Sequence, residues 1–196
     1  PIDTALAITK DIATGLTYAH DLGLVHRDIK PGNILLDGDS AVLADFGIAR
    51  AVDVVAGEEL TDSGIVVGTA EYMSPEQGQG HGKVDSRSDI YSLACVLYEM
   101  IAGEPPFDGP TAQVIMARHQ HEAPRSLTVT RSTVPASVAC AIENALAKVP
   151  ADRPKTAERF VEMLDEPVPV TGSQRRRYAA LASALLRRLR HLNFRH

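Results

Sequence analysis

Cysteine is almost absent from this 196-residue chain, and its two copies, Cys95 and Cys140, are too far apart for a CxxC pair. No regular thiol spacing is left to build a disulfide framework, so reduced thiols in a cytosolic protein are expected. Also missing is any apolar run near the ~18 residues that cross a bilayer, and nothing at the start resembles a signal peptide. No internal repeat is present. Positive charge is scarce over most of the chain. Residues 174–196 take seven of the 20 basic residues and none of the 25 acidic ones, which leaves 13 against 25 in residues 1–173. A body with that balance lacks the basic face that nucleic-acid binding requires, and no nucleic-acid partner is expected.

What is present is ordinary for a globular protein: 44% hydrophobic and 23% charged residues. The length suits one domain, or one domain and an appendage, with a core able to fold alone. The first residue is Pro1, which either methionine removal or a longer parent chain explains.

Leu6, Ile8, Ile12, Leu16 and Ala19 recur at helical spacing between Asp3 and Asp21, and Gly23 ends that helix. Leu24–Val25 reads as a short buried strand. Ile34–Leu36 and Ala41–Ala44 read as two more, joined by the turn residues Asp37 to Ser40. The stretch from Ile48 to Tyr72 is weakly periodic, and a loop that long inside a domain is usually functional. Asp85–Ala102 is apolar on most faces and predicts a central buried helix, stopped by Gly103 and Pro105–Pro106. Further helices are expected near 111–121, 135–148 and 155–164. EPVPV at 166–170 predicts an extended linker, because each Pro biases its predecessor away from helix.

The chemistry concentrates in HRDIKPGN, residues 26–33, followed by DFG at 45–47. A lone Asp or Asn at a strand end is most often a turn or a cap. Nine fixed letters at fixed spacing are another matter, since chance supplies them at far below ~10⁻⁸ per site. Phosphoryl transfer needs a group near the nucleophilic hydroxyl, oxygen ligands for magnesium, and positive charge against the phosphates. Asp28 can accept the hydroxyl proton, and Lys30 can set an ammonium beside the phosphate. Asn33 and Asp45 offer the hard oxygens that magnesium prefers.

On these motifs the chain resembles the protein kinase superfamily, specifically the eukaryotic-like serine/threonine kinases of bacteria, from about residue 3 to 164. The matching letters are His26-Arg27-Asp28, Lys30, Asn33, Asp45-Phe46-Gly47, Gly68-Thr69, Ser74-Pro75-Glu76, Asp89 and Arg153. The implied fold is α+β: a mainly helical C-terminal lobe with short β-hairpins around the catalytic loop. The implied domain spans 1–165, followed by a Pro-containing linker at 166–173 and a basic amphipathic tail at 174–196. The resemblance makes Asp28 the catalytic base and Asn33 and Asp45 the magnesium ligands. Lys30 then favours Ser/Thr substrates, and Thr69 bonds to Asp28 and Lys30. Glu76 pairs with Arg153, and Asp89 holds the backbone of the HRD loop. Leu35 floors the adenine above Val96 and Met100. His26 and Phe46 join a regulatory column of apolar contacts, and Gly47 completes DFG. Arg27, before the catalytic Asp, implies switching by phosphorylation, with Thr61 and Ser63 as the best-placed acceptors unless they are plain loop residues. Two departures, Ala70 where Pro is frequent and Ala94 where Gly is common, do not touch the chemistry.

The family's smaller lobe, with its Gly-rich loop, strand Lys and helix Glu, has no counterpart before the first helix. GQGHG at 78–82 lies in no strand-turn-strand setting and reads as a loop. None of the five lysines has a β-strand context suited to ATP. The chain therefore reads as the larger lobe of an ATP- and magnesium-dependent Ser/Thr protein kinase whose N-terminal lobe is a missing partner. Alone it should be inactive. The alternative is a free-standing lobe kept as a scaffold or decoy. The tail reads either as an amphipathic helix on an anionic membrane or a juxtamembrane segment of a receptor-type kinase, or as a basic helix or disordered tail that merely solvates or docks on the acidic body. The expected place is the cytoplasm or the inner face of the plasma membrane, with Ser/Thr-bearing proteins as substrates.

Overall fold

A computed structural model describes residues 1–38, 40–45, 67–79 and 84–167. The first helix, α1 (Ile2–Asp21), buries Ala5, Thr9, Ile12, Ala13, Leu16 and Ala19, a stripe at three- and four-residue steps. Leu6 and Ile8 flank that stripe and pack against the core only partly buried. Thr9 satisfies its buried hydroxyl by donating to the Ala5 carbonyl at 2.8 Å. Gly23, at φ 76°, turns the chain out of the helix in a conformation that a Cβ would strain.

A 3₁₀ turn (Pro31–Asn33) leads into strands β1 (Ile34–Asp37) and β2 (Ser40–Leu43), which pair antiparallel with Ile34 opposite Leu43 and Asp37 opposite Ser40. The hairpin is tied to α1 through Asp11, whose carboxylate accepts from the Ala41 amide at 2.9 Å. Two short helices follow, α2 (Val67–Ala70) and α3 (Pro75–Gly78).

The hub of the fold is α4 (Ser86–Ala102). Asp85 caps it by accepting from the Arg87 amide at 2.9 Å, and Gly103, at φ 86°, closes it. Ile90, Leu93 and Leu97 are fully buried, each contributing about 1.5–3 kcal/mol relative to exposure. Its buried polar groups are all engaged. Ser88 donates to Glu76 at 2.6 Å, Ser92 to the Tyr72 carbonyl at 2.7 Å, and Tyr98 to the Arg125 carbonyl at 3.0 Å. Around it lie α1, α6 (Leu127–Thr130), α7 (Ala136–Ala145) and α8 (Ala157–Asp165). Helix α5 (Ala112–His121) instead packs against α2 and α3, with Ala70, Met73, Ile115 and Met116 forming a second small core.

The architecture is thus mainly helical with one β-hairpin among the described residues, as the resemblance implied. Three local expectations change. Leu24–Val25 is not a strand: Leu24 is exposed, and the amides of the next two residues go to the Asp89 side chain. The helix expected to reach 148 stops at Ala145; Val149 is extended ahead of Pro150, and Arg153 binds the Ala147 and Lys148 carbonyls. Helices α2, α3 and α6 have four residues each, too few to show a period. No helix among the described residues is long and apolar enough to cross a membrane. Most of the linker and the whole basic tail at 174–196 lie outside the described residues.

One buried ion pair joins segments 77 residues apart. Arg153 meets Glu76 in a fork, Nη1 to Oε1 at 2.7 Å and Nη2 to Oε2 at 2.8 Å, with the Arg153 side chain fully buried. Burial pushes the Glu76 carboxyl up, but bonds from Arg153 and Ser88 outweigh it and hold the group below the usual carboxylate range. Removing one partner strands the other charge. Arg153→Met is therefore expected to cost about 3–5 kcal/mol in urea unfolding, with partial recovery in the Arg153→Met, Glu76→Met double variant. A single-variant cost under about 1 kcal/mol would contradict this.

A second buried group gives the fold an acid limit. His119 on α5 is wholly buried, with Nδ1 2.8 Å from the Tyr91 hydroxyl and its ring 4.7 Å from that of Phe107. Burial, reinforced by the Lys148 charge, pushes the imidazole down to about 4. The unfolded chain takes up this proton near 6.5, so the contribution is intact above that pH and lost as pH falls towards 4. Its full size is on the order of 3 kcal/mol. His119→Gln should show a shallower fall in melting temperature than the parent chain between pH 6.5 and 4; parallel curves would exclude the assignment.

Candidate active site

The loop between α1 and β1 is held from the central helix. Asp89, buried on α4, accepts from the His26 amide through Oδ2 and from the Arg27 amide through Oδ1, both at 2.8 Å. The same Oδ2 takes a third bond from His20 Nε2 at 2.8 Å. A carboxylate in this role only accepts, so His20 carries its proton on Nε2. Three donors on one buried carboxylate offset the cost of removing it from water.

The clamp matters because Arg27 sits at φ 67°, a left-handed conformation that costs a non-glycine residue roughly 1–2 kcal/mol. His26 supports the next step of the chain. Its Nδ1 accepts from the Asp28 amide at 3.2 Å, and its Nε2 lies 3.0 Å from the Ala44 carbonyl. The carbonyl can only accept, which puts the proton on Nε2 and leaves Nδ1 for Asp28. Asn33 returns the link, its carbonyl accepting from the Ala44 amide at 2.8 Å. Asp45, at φ 55° and exposed, therefore leaves the hairpin one residue beyond a position tied to both His26 and Asn33.

Three side chains meet on one oxygen. Lys30 Nζ donates to Asp28 Oδ2 at 2.9 Å, and Asn33 Nδ2 donates to the same oxygen at 3.0 Å and to the Asp28 carbonyl at 2.7 Å. Lys30 also reaches the Thr69 hydroxyl at 3.4 Å, which ties α2 to the loop. About a quarter of each of the Asp28 and Lys30 side chains is exposed, so the cluster is open to a reactant. The Asn33 amide nitrogen is committed to Asp28, so Oδ1 is the atom of this side chain that could take a cation. One amide oxygen and one exposed carboxylate, Asp45, are the small hard-oxygen set that magnesium takes when phosphates and waters complete its octahedron. Among the described residues no group of three or more His, Cys, Asp or Glu gathers to hold a metal by protein alone. The donors present fit a magnesium-bound nucleotide.

Below this cluster, the Ser74–Gln77 turn packs under the loop. Gln77 Oε1 accepts from the Ser74 amide and hydroxyl, both at 3.1 Å, while its Nε2 donates to the Arg27 carbonyl at 2.7 Å. Tyr72 donates to Glu99 at 2.7 Å; burial and this carboxylate both push the phenol well above its ordinary range. Leu35 faces outward, 57% exposed, whereas Val96 is buried and Met100 half-buried.

Of the residues singled out from sequence, Asp28, Lys30, Asn33 and Thr69 form one bonded cluster, and His26, Arg27 and Asp89 form its support. Glu76 and Arg153 pair beneath it. Phe46, Gly47, Thr61 and Ser63 lie outside the described residues. Sequence reading passed over His20 and Gln77. His20 shows only as a polar residue in the last turn of an amphipathic helix. Gln77 adjoins the SPE triplet, and its capping geometry with Ser74, three residues earlier, was the available signal.

A family model described as protein kinase domain matches residues 2–167. The serine/threonine-protein kinase PknB of Mycobacterium tuberculosis is 42% identical over 154 residues, covering 78% of this chain and 24% of that protein. The serine/threonine-protein kinase pkn2 of Myxococcus xanthus is 38% identical over 170 residues, covering 84% and 20%. The chain thus spans about a quarter of the length of the curated relatives it matches. Among solved structures, Rad53 residues 1–466 in complex with AMP-PNP superposes with a TM-score of 0.65 at 25% identity, over 83% of this chain and 40% of that one. With its clustered loop, its helical fold and these relatives, the chain belongs to the protein kinase domain family, alongside the bacterial serine/threonine kinases.

Proposed function

We propose that this chain is the catalytic lobe of an ATP-dependent protein kinase that phosphorylates Ser and Thr hydroxyls. The observation that carries the reading is the convergence of Lys30 and Asn33 on Asp28 Oδ2, at 2.9 and 3.0 Å. ATP with magnesium supplies the transferable phosphoryl group and the charge that screens it. Asn33 Oδ1 and the Asp45 carboxylate would hold the metal. Asp28 would orient the incoming hydroxyl and take its proton as the acceptor oxygen bonds to the γ-phosphorus and the bond from that phosphorus to the departing ADP oxygen breaks. Lys30, between Asp28 and Thr69, neutralises charge on the moving phosphoryl group, and Thr69 holds Lys30 at that station. Arg27 pairs with a phosphate on the segment between DFG and SPE, with Thr61 and Ser63 as the acceptors.

Binding needs more than this lobe. Leu35 offers the adenine a floor and stays 57% exposed, while among the described residues no lysine stands on a strand to meet the phosphates. Titration of the 196-residue chain with ATP–magnesium should give a dissociation constant of about 1 mM or weaker. Sustained phosphorylation of a generic Ser/Thr substrate by this purified chain would overturn that expectation.

In the full gene product carrying this chain, Asp28→Asn should lower turnover by about 10²–10⁴-fold while leaving nucleotide binding within a few-fold. A variant that keeps its turnover would remove Asp28 from the role of base. A parent protein that transfers no phosphoryl group, yet binds partners through this lobe, would instead be the scaffold or decoy.

A further inference from the structure

The peptide unit joining Arg27 to Asp28 is the one that aims the Asp28 side chain, and it is gripped at both ends by side chains. Its N–H, on Asp28, donates to His26 Nδ1 at 3.2 Å. Its C=O, on Arg27, accepts from Gln77 Nε2 at 2.7 Å. Asp89 holds the two amides before it, those of His26 and Arg27, but touches neither end of this unit. Because Arg27 stands at φ 67°, the unit lies next to a strained step that an unrestrained chain would relax by rotating the plane.

Gln77 is itself fixed in one orientation. Its Oε1 receives two donors from Ser74, the amide and the hydroxyl at 3.1 Å, and a flipped amide would set its N–H₂ against the Ser74 N–H, which can only donate. Ser74 is fully buried, and the neighbouring Glu76 is anchored on Arg153 at 2.7 and 2.8 Å. The turn that carries Gln77 is thus immobilised from below, while the Gln77 amide reaches up to the loop, 50 residues earlier in sequence.

We propose that Gln77 is a positioning residue: by bonding the Arg27 carbonyl it sets the plane of the Arg27–Asp28 peptide, and so couples the Ser74–Gln77 turn to the aim of the Asp28 carboxylate. The catalytic consequence rests on the kinase reading above; the structural coupling does not. Any shift of the turn that draws Gln77 back releases that carbonyl and leaves Asp28 misaligned, without touching substrate or nucleotide.

Two measurements test this separately. The first is amide hydrogen exchange on the 196-residue chain with Gln77→Leu. The Asp28 amide should exchange at least about tenfold faster, while those of His26 and Arg27, held by Asp89, stay within about twofold. Uniform loss across all three would mean a general structural role, and no change would remove the coupling; either overturns the proposal. The second uses the full gene product. Gln77→Leu should lower kcat by about 10- to 100-fold with KM for ATP within about twofold. Gln77→Glu should do the same at pH 8 and regain part of the loss as pH falls towards 5, because a protonated carboxyl can again donate to the Arg27 carbonyl. A Gln77→Glu pH profile that parallels the parent's overturns the proposal. Absence of activity in the parent itself would fail the kinase reading alone, and the exchange result would still decide the coupling.

Discussion

Asp89 is the carboxylate on which the rest of the site depends. It is buried in the first turn of the most buried helix of the lobe, where an ion without partners could not persist. Three donors reach it at 2.8 Å, two from the backbone of the HRD loop and one from His20 on α1. One group thereby fastens the loop to the core, links α1 to α4, and holds Arg27 in a conformation the chain would otherwise leave. The energy for that strained step comes from the packing around α4, because the carboxylate cannot move without unpacking the helix.

From that anchor the site is assembled in layers of decreasing burial. His26, fully buried, passes the constraint to the Asp28 amide and to Ala44 beside Asp45. Asn33, buried, bonds back to Asp28, the Asp28 and Lys30 side chains open partly to solvent, and Asp45 is exposed. Groups that must meet a reactant are therefore oriented by groups that never do. The same order appears below the loop, where a buried Glu76–Arg153 fork steadies the turn that carries Gln77 towards it. This layering lets a short, strained loop serve as a rigid frame.

Much of the fold was legible because its signals are local. The apolar spacing of α1 and the continuous burial of α4 each span enough residues for a period to emerge, and Gly23 and Gly103 mark their ends by a backbone requirement. The hairpin was legible from two apolar runs around Asp37–Ser40. What failed was short or contextual. Leu24–Val25 has strand-like letters, but the Asp89 side chain takes the amides of the two residues that follow them. The last turn of the helix expected to reach 148 is absent, and the Ala147 and Lys148 carbonyls are taken by Arg153, a partner that no periodicity marks.

Residues 26–33 hold Asp28, Lys30 and Asn33 close enough along the chain that their letters and spacing alone pointed to phosphoryl transfer and to the family. The sequence also determined the acidic body and basic tail, since charge is a sum over letters. Only the tertiary structure decided what holds that loop. His20 and Asp89 are 69 residues apart, Gln77 and Arg27 are 50, and Glu76 and Arg153 are 77. A bond across such a distance exists only after the chain has packed, and a His or Gln in isolation carries no mark of the partner it will find.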